Sequence, residues 1–209
     1  MHFYWYKFKL LLAMLTARLA DVSVFLGIVL LGGLGTSWYM VEAGSAITTY
    51  SAGPWVTWRN AARADADPYT RAHFARLGAM PLSTDIARTY VARTDSAGNR
   101  LHSSCEYVIE GDELGAHWWS LTAFDDRGAL IPNIAGRHAF TSQTMTIAPD
   151  GHFMLTMARD ARPGNWLPTG GAGRIALVLE IVEGRVSTLA ASPETEAAML
   201  PEIRQVQCR

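Results

Sequence analysis

RIALVLEIV, residues 174–182, is apolar on both alternating sides. A strand of that kind needs cover on both faces and belongs in the middle of a sheet. The segments around it carry the same period-two character. IARTYVART (86–94) runs into the turn Asp95-Ser96-Ala97-Gly98, and LHSSCEYVIE (101–110) follows, which predicts a hairpin. AHWWSLTAF (116–124) ends at Asp125-Asp126-Arg127-Gly128. TMTIA (144–148) and HFMLTMAR (152–159) flank Pro149-Asp150-Gly151, a second hairpin signal. Short strands at near-regular spacing, separated by Gly/Asp turns, predict a mainly β domain of sandwich or jelly-roll type. One or two short helices accompany it. Asp67-Pro68 is a helix start, Asp as N-cap and Pro in the first turn; the helix should run to about Leu77 and stop at Gly78 and Pro81.

The front of the chain is different. Val22–Val41 (VSVFLGIVLLGGLGTSWYMV) is 20 residues without a charge. As a helix it spans roughly 30 Å, the thickness of a bilayer core. Val41-Glu42-Ala43 resembles a signal-peptide cleavage site, but a secretory apolar region is shorter, about 7–15 residues, and follows a short basic start. The length favours an uncleaved anchor. Lys7, Lys9 and Arg18 precede the span, against Asp21; after it come Glu42 and then Arg59. Positive-inside logic places the N-terminus in the cytoplasm and the remainder outside it, in a bacterial periplasm or an extracellular space. Trp38 and Tyr39 suit an outer interfacial belt, and Phe3-Tyr4-Trp5-Tyr6 an inner one. Ser23/Gly27, Gly32/Thr36 and Gly33/Ser37 are small-xxx-small pairs that would admit close helix packing. The expected organisation is a cytoplasmic or interfacial segment 1–21, a transmembrane helix 22–41, a tether 42–66 and a β-sandwich domain 67–209.

From Glu42 onward the chain has 15 Arg, no Lys and 18 acids, a net charge of −3. There is no basic stripe, which argues against nucleic acid. Cys105 and Cys208 both fall outside the cytoplasm on this topology, where a disulfide can persist. Two free thiols and a redox pair are the alternatives; no Cys-x-x-Cys supports redox work, and the bridge is favoured.

Catalytic signals are thin. Gly-x-Ser-x-Gly is absent. His102, His117, His138 and His152 lack metal-binding spacing. Asp125-Asp126 and Asp112-Glu113 offer paired carboxylates of the kind glycoside chemistry uses, but both pairs sit in Gly-bounded turns, where acids serve the backbone. Asp95–Asn99 lacks the spacing and closing Glu of a calcium loop. No catalytic residue, metal ligand or cofactor is assigned. Trp118-Trp119 must point to opposite sheet faces, so one ring could meet a ligand or partner. In RPGNWLPTG (162–170), Pro163-Gly164 is a turn pair and Asn165 can bond local backbone. Trp166 and Leu167 supply apolar mass, which reads as a structural plug in preference to an aromatic ligand platform.

Several of these pieces, in this order, resemble the domain of unknown function 1214 family. They are DPYTRAHFARLG (67–78), the turn at 95–98, CEYVIEG (105–111) and HWWSLTAFDDRGALIPN (117–133). APDGHFML (148–155), ARPGNWLPTGG (161–171), ALVLEIV (176–182) and LPEIRQVQC (200–208) complete the set. Together they reach from Asp67 to Cys208. The resemblance implies a jelly-roll-type sandwich, an exported or membrane-anchored protein, and pairing or fusion with a domain of unknown function 1254 protein. It implies no reaction and no catalytic residues. Cysteines at 105 and 208 fit the bridge in the anchored form. Glu180 and Val182 depart from the basic and aromatic residues usual in the Arg-Leu-Tyr ending of the family's strand.

The function expected from all this is that of a membrane-anchored periplasmic accessory protein. It would dock on a larger inner-membrane or envelope complex through a protein partner. The alternative is a periplasmic hydrolase or carbohydrate-binding protein.

Overall fold

In the computed structural model, the backbone is described for residues 2–183 and 193–209. The side chains of Phe3, Tyr4, Tyr6, Lys7 and Lys9, on which the inner belt and much of the flanking charge rest, lie outside that description. The chain divides into two compact units, Met1–Gly44 and Ser45–Arg209.

The first unit is one continuous helix, α1 (His2–Ala43). The expected span 22–41 lies inside it, without a break at residue 21. Within α1, Leu11–Ala43 is long and apolar enough to cross a membrane, with a mean hydropathy of 1.9, and none of it is buried. Its 33 residues reach about 50 Å, more than a bilayer core needs. The hydroxyls of Ser23 and Thr36 donate back to Leu19 O (2.8 Å) and Gly32 O (2.7 Å). This satisfies those polar groups inside the helix, as an apolar surround requires.

The second unit is a two-sheet sandwich. Its strands are β1 (Thr49–Ala52), β2 (Trp55–Trp58), β3 (Ala87–Ala92), β4 (Cys105–Asp112) and β5 (Trp118–Asp125). They continue as β6 (Ala139–Thr141), β7 (His152–Ala158), β8 (Asn165–Pro168), β9 (Ile175–Val182) and β10 (Glu202–Cys208). One sheet has the order β1-β2-β3-β9-β5-β6, the other β10-β4-β7-β8. All neighbours are antiparallel except β7 and β8. Strand β9 lies between β3 and β5, as its two-sided apolar sequence predicts. The core between the sheets is filled by Tyr90, Leu121, Leu177 and Leu179 from one side and Tyr107, Ile109, Leu155 and Met157 from the other. Trp119 stacks on Phe153 across it, ring centroids 5.4 Å apart.

Helix α2 (Pro68–Leu77) begins and ends where its sequence says it should. Asp67 Oδ1 accepts the backbone N–H groups of Tyr69 (2.9 Å) and Thr70 (3.0 Å), and Gly78 closes the helix at φ 63°. Trp58 receives His73 of this helix face to face, centroids 4.1 Å apart. The third described helix, α3 (Pro193–Met199), precedes β10.

Three expectations need correction. Residues 42–66 are not a tether throughout: β1 and β2 form a hairpin at the edge of the larger sheet. Gly53, at φ 61°, makes the turn, and Trp55 is fully buried with its indole N–H donated to Pro201 O at 2.8 Å. Nor do the segments 86–94 and 101–110 form a hairpin. The chain turns at Asp95, whose Oδ1 accepts Ala97 N (3.0 Å) and Asn99 N (2.7 Å). A single bridge, Thr94 to Arg100, then precedes the crossing to the other sheet. The apolar sides of β3 and β4 therefore face each other across the core instead of sharing one sheet face. The 144–148 segment likewise contributes one bridge, Ile147 to Phe153, and no full strand.

Candidate functional site

Cys105 and Cys208 are joined in a disulfide that closes 103 residues of chain. The reason they meet is register: Cys208 stands directly opposite Cys105 at the end of the β10–β4 ladder. Strand β10 buries only one of its own side chains, Ile203. Its hold on the sheet rests on the ladder, the bridge and the ion pair from Arg204 to Glu110 of β4 at 2.8 Å. Arg162 makes a bidentate contact with Glu106, Nε to Oε1 at 2.9 Å and Nη2 to Oε2 at 2.7 Å. That hydrogen bonding holds the Glu106 carboxyl below the usual carboxylate range.

The tryptophans separate by face. Trp119 is core; Trp118 is half-buried on the outer side of the larger sheet. In Asn-Trp-Leu-Pro, Asn165, Leu167 and Pro168 are buried. Asn165 Oδ1 accepts Thr146 N, and its Nδ2 donates to Thr146 O and Met154 O, all at 2.9 Å. Trp166 is half-buried, its indole N–H donated to Ala158 O at 3.0 Å. The plug is therefore Leu167, locked by Asn165, and Trp166 closes over the outside of β7. Gly27, Gly32 and Gly33 of α1 have nothing within 4 Å of the place a Cβ would take. Trp38 is exposed.

Both carboxylate pairs occupy turns or strand ends. Asp125 Oδ1 accepts Arg127 N (3.0 Å) and Ala129 N (2.8 Å), which commits it to its turn. Asp112 lies 3.4 Å from His152 Nδ1. It lines an acidic groove of about 400 Å³ with Glu110, Glu113 and Glu202. Among the described residues no group of three or more His, Cys, Asp or Glu could hold a metal ion.

Two charged clusters emerge that single-residue reasoning did not find. The first is buried. Glu196 of α3, 5% exposed, accepts the Tyr50 hydroxyl (2.7 and 2.6 Å) and the Tyr90 hydroxyl. Arg88 adds an ion pair to Glu196 at 3.8 Å and a hydrogen bond to the Tyr50 hydroxyl. Burial, reinforced by the hydrogen bond to Glu196, pushes the Tyr50 phenol up to about 12; the same causes raise Tyr90. The second cluster rims a cleft of about 500 Å³ on the outer side of the larger sheet. Val91, Phe124, Ala176 and Val178 supply apolar wall; Arg93, Arg100 and Arg174 stand around it with Asp125 and Asp126.

Residues 87–185 match the family described as "Protein of unknown function (DUF1214)". The VPA0106 protein from Vibrio parahaemolyticus is similar in structure, with a TM-score of 0.53 and 23% identity, covering 68% of this chain and 36% of that one. An uncharacterized protein from Burkholderia cenocepacia gives a TM-score of 0.44 at 15% identity, over 84% of this chain and 41% of that one. The chain thus spans little more than a third of the first of these solved structures, and the likeness shows the fold alone. No curated protein matches the chain.

Proposed function

We propose that this chain, a DUF1214 family member through residues 87–185, is a membrane-anchored accessory protein. Helix α1 holds it in a bacterial inner membrane, N-terminus in the cytoplasm. The sandwich works in the periplasm as an interaction domain for a larger membrane or envelope complex, with a domain of unknown function 1254 protein as one partner. The observation that carries this reading is the 33-residue apolar stretch of α1, in which no residue is buried. An uncovered helix of that length in water would expose far more apolar area than a soluble monomer tolerates. The charge asymmetry around the helix supports the orientation. The disulfide supports an oxidising compartment for the sandwich. The hydrolase alternative gains nothing from Asp125, which its own turn occupies.

The test is membrane fractionation followed by protease protection of intact spheroplasts, and then purification in mild detergent with mass spectrometry of what remains bound. The proposal expects resistance to carbonate extraction, degradation of the sandwich from the periplasmic side, and a stoichiometric protein partner. Recovery in the soluble fraction, cleaved near Ala43, would remove the anchor. Purification of the intact chain alone would remove the accessory role.

A further inference from the structure

We propose that the cleft on the outer side of the larger sheet binds a small anionic amphiphile, a carboxylate or phosphate head on an apolar body. This does not depend on the anchoring described above.

The backbone explains why the three arginines converge. Leu101 N donates to Arg93 O at 3.0 Å, and Ile175 N donates to Leu101 O at 3.2 Å. Ile175 is in turn paired with Asp125 on β5. The segment around Leu101 is therefore wedged where β3 and β9 end, and it brings Arg100 between Arg93 and Arg174. Alternation does the rest. Leu177 and Leu179 point into the core, so Ala176 and Val178 take the outer side with Val91 of β3, and Arg93 and Arg174, each one residue beyond its strand, line the same cleft.

All three arginines are exposed, and among the described residues none of their guanidinium groups has an ion pair or hydrogen bond. This holds although Asp125 and Asp126 line the same cleft. Asp125 has its Oδ1 filled by two backbone N–H groups. The rim carries three cations against two anions in a domain whose net charge is −2. Guanidinium forks match carboxylate and phosphate oxygens and bind them bidentately. The floor beneath is hydrocarbon, which a bare inorganic ion cannot use. A volume of about 500 Å³ falls within the range of small-molecule sites, about 300–1,000 Å³.

The probe is octyl phosphate, titrated into the full chain in nanodiscs of zwitterionic lipid and read by calorimetry. Octanol and inorganic phosphate serve as the two halves of the ligand. Saturable binding of one octyl phosphate per chain is expected, with each half at least about tenfold weaker, since head and tail contribute separately. The triple variant Arg93→Gln, Arg100→Gln, Arg174→Gln should weaken it by about tenfold or more and remove its salt dependence. Asp126→Asn should tighten it about twofold by removing a like charge. An unchanged melting temperature in the variants ties the loss to the site. No saturable binding, equal binding of octanol, or full affinity in the triple variant would overturn the proposal. Repeating the titration in discs containing an anionic phospholipid separates two sources of the same chemistry. Competition marks the lipid headgroup as the ligand; unaltered affinity marks a free small molecule.

Discussion

Arg88 lies within β3 and Arg93 in the bend just past its end, and the two serve opposite sides of the sheet. Arg88 goes inward and meets Glu196, Tyr50 and Tyr90. Arg93 goes outward to the rim of an apolar cleft, and its guanidinium meets no partner among the described residues. The contrast separates a charge used for assembly from a charge left for a ligand. An ionised group in a protein interior must be paired or it opposes folding. A solvated one is free of that demand, so its arrangement with Arg100 and Arg174 is not a requirement of the fold.

The largest effect should come from breaking the inner cluster. Glu196→Ala leaves Arg88 facing the sandwich interior without its carboxylate, and its Nε is already buried without a hydrogen-bond partner. About 3 kcal/mol of stability should be lost, the lower end for a broken buried pair because Arg88 keeps partial solvent access. Denaturant unfolding of the full chain in detergent checks this. A change below about 1 kcal/mol, the range of a surface pair, would place Glu196 with the surface charges.

Next in size is the disulfide. Glu196 fixes the helix before β10, and Cys208 fixes the strand's far end. Cys105→Ala with Cys208→Ala should cost about 2–3 kcal/mol, less than the chain-entropy value for so long a loop, because the ladder partly holds the tail. The combination with Glu196→Ala should exceed the sum of the two losses, since each restraint protects what the other leaves. Simple additivity would show that the two ends of this segment act independently.

The inner cluster also predicts a response to alkali. Tyr50 has a folded pKa raised to about 12 from an ordinary value near 10. The unfolded chain then releases the proton first, so stability falls as pH rises through that window and is fully present below it. Unfolding midpoints should drop between about pH 10 and 12, and Tyr50→Phe should flatten that part of the profile. An unaltered profile in the variant would mean that Tyr50 titrates normally.

How much of this was legible in the residues follows local chemistry. Asp67-Pro68 and Gly78 announce α2 because capping is decided within a few positions. RIALVLEIV announces a central strand because both faces are apolar. The β1–β2 hairpin was hidden: two four-residue strands are too short for a periodic signal, and Trp55 earns its burial from Pro201, far along the chain. The turn at Asp95 was visible, but not that the chain changes sheets there, because a corner and a hairpin share the same turn residues. Glu196 sits among Pro193, Glu194 and Thr195, a helix start that looks solvated in sequence. The cleft draws on positions 93, 100, 126 and 174, which only the ladder around Leu101 brings together.

The smallest expected effect is the sharpest test of the opening contrast. Arg93→Gln removes a cation that the fold does not use, so stability should stay within about 0.5 kcal/mol of the parent. Arg88→Gln, the same chemical change five residues earlier, strips Glu196 of its cation and should cost at least about 1–2 kcal/mol more, by loss of a hydrogen bond to a charged group. The two variants share residue type and substitution and lie five residues apart, which leaves the side of the sheet they serve as the main difference. If both prove equally costly, Arg93 has a structural partner after all, and the outer rim is part of the scaffold. If Arg93→Gln is neutral while octyl phosphate binding falls, the cation is kept for what enters the cleft.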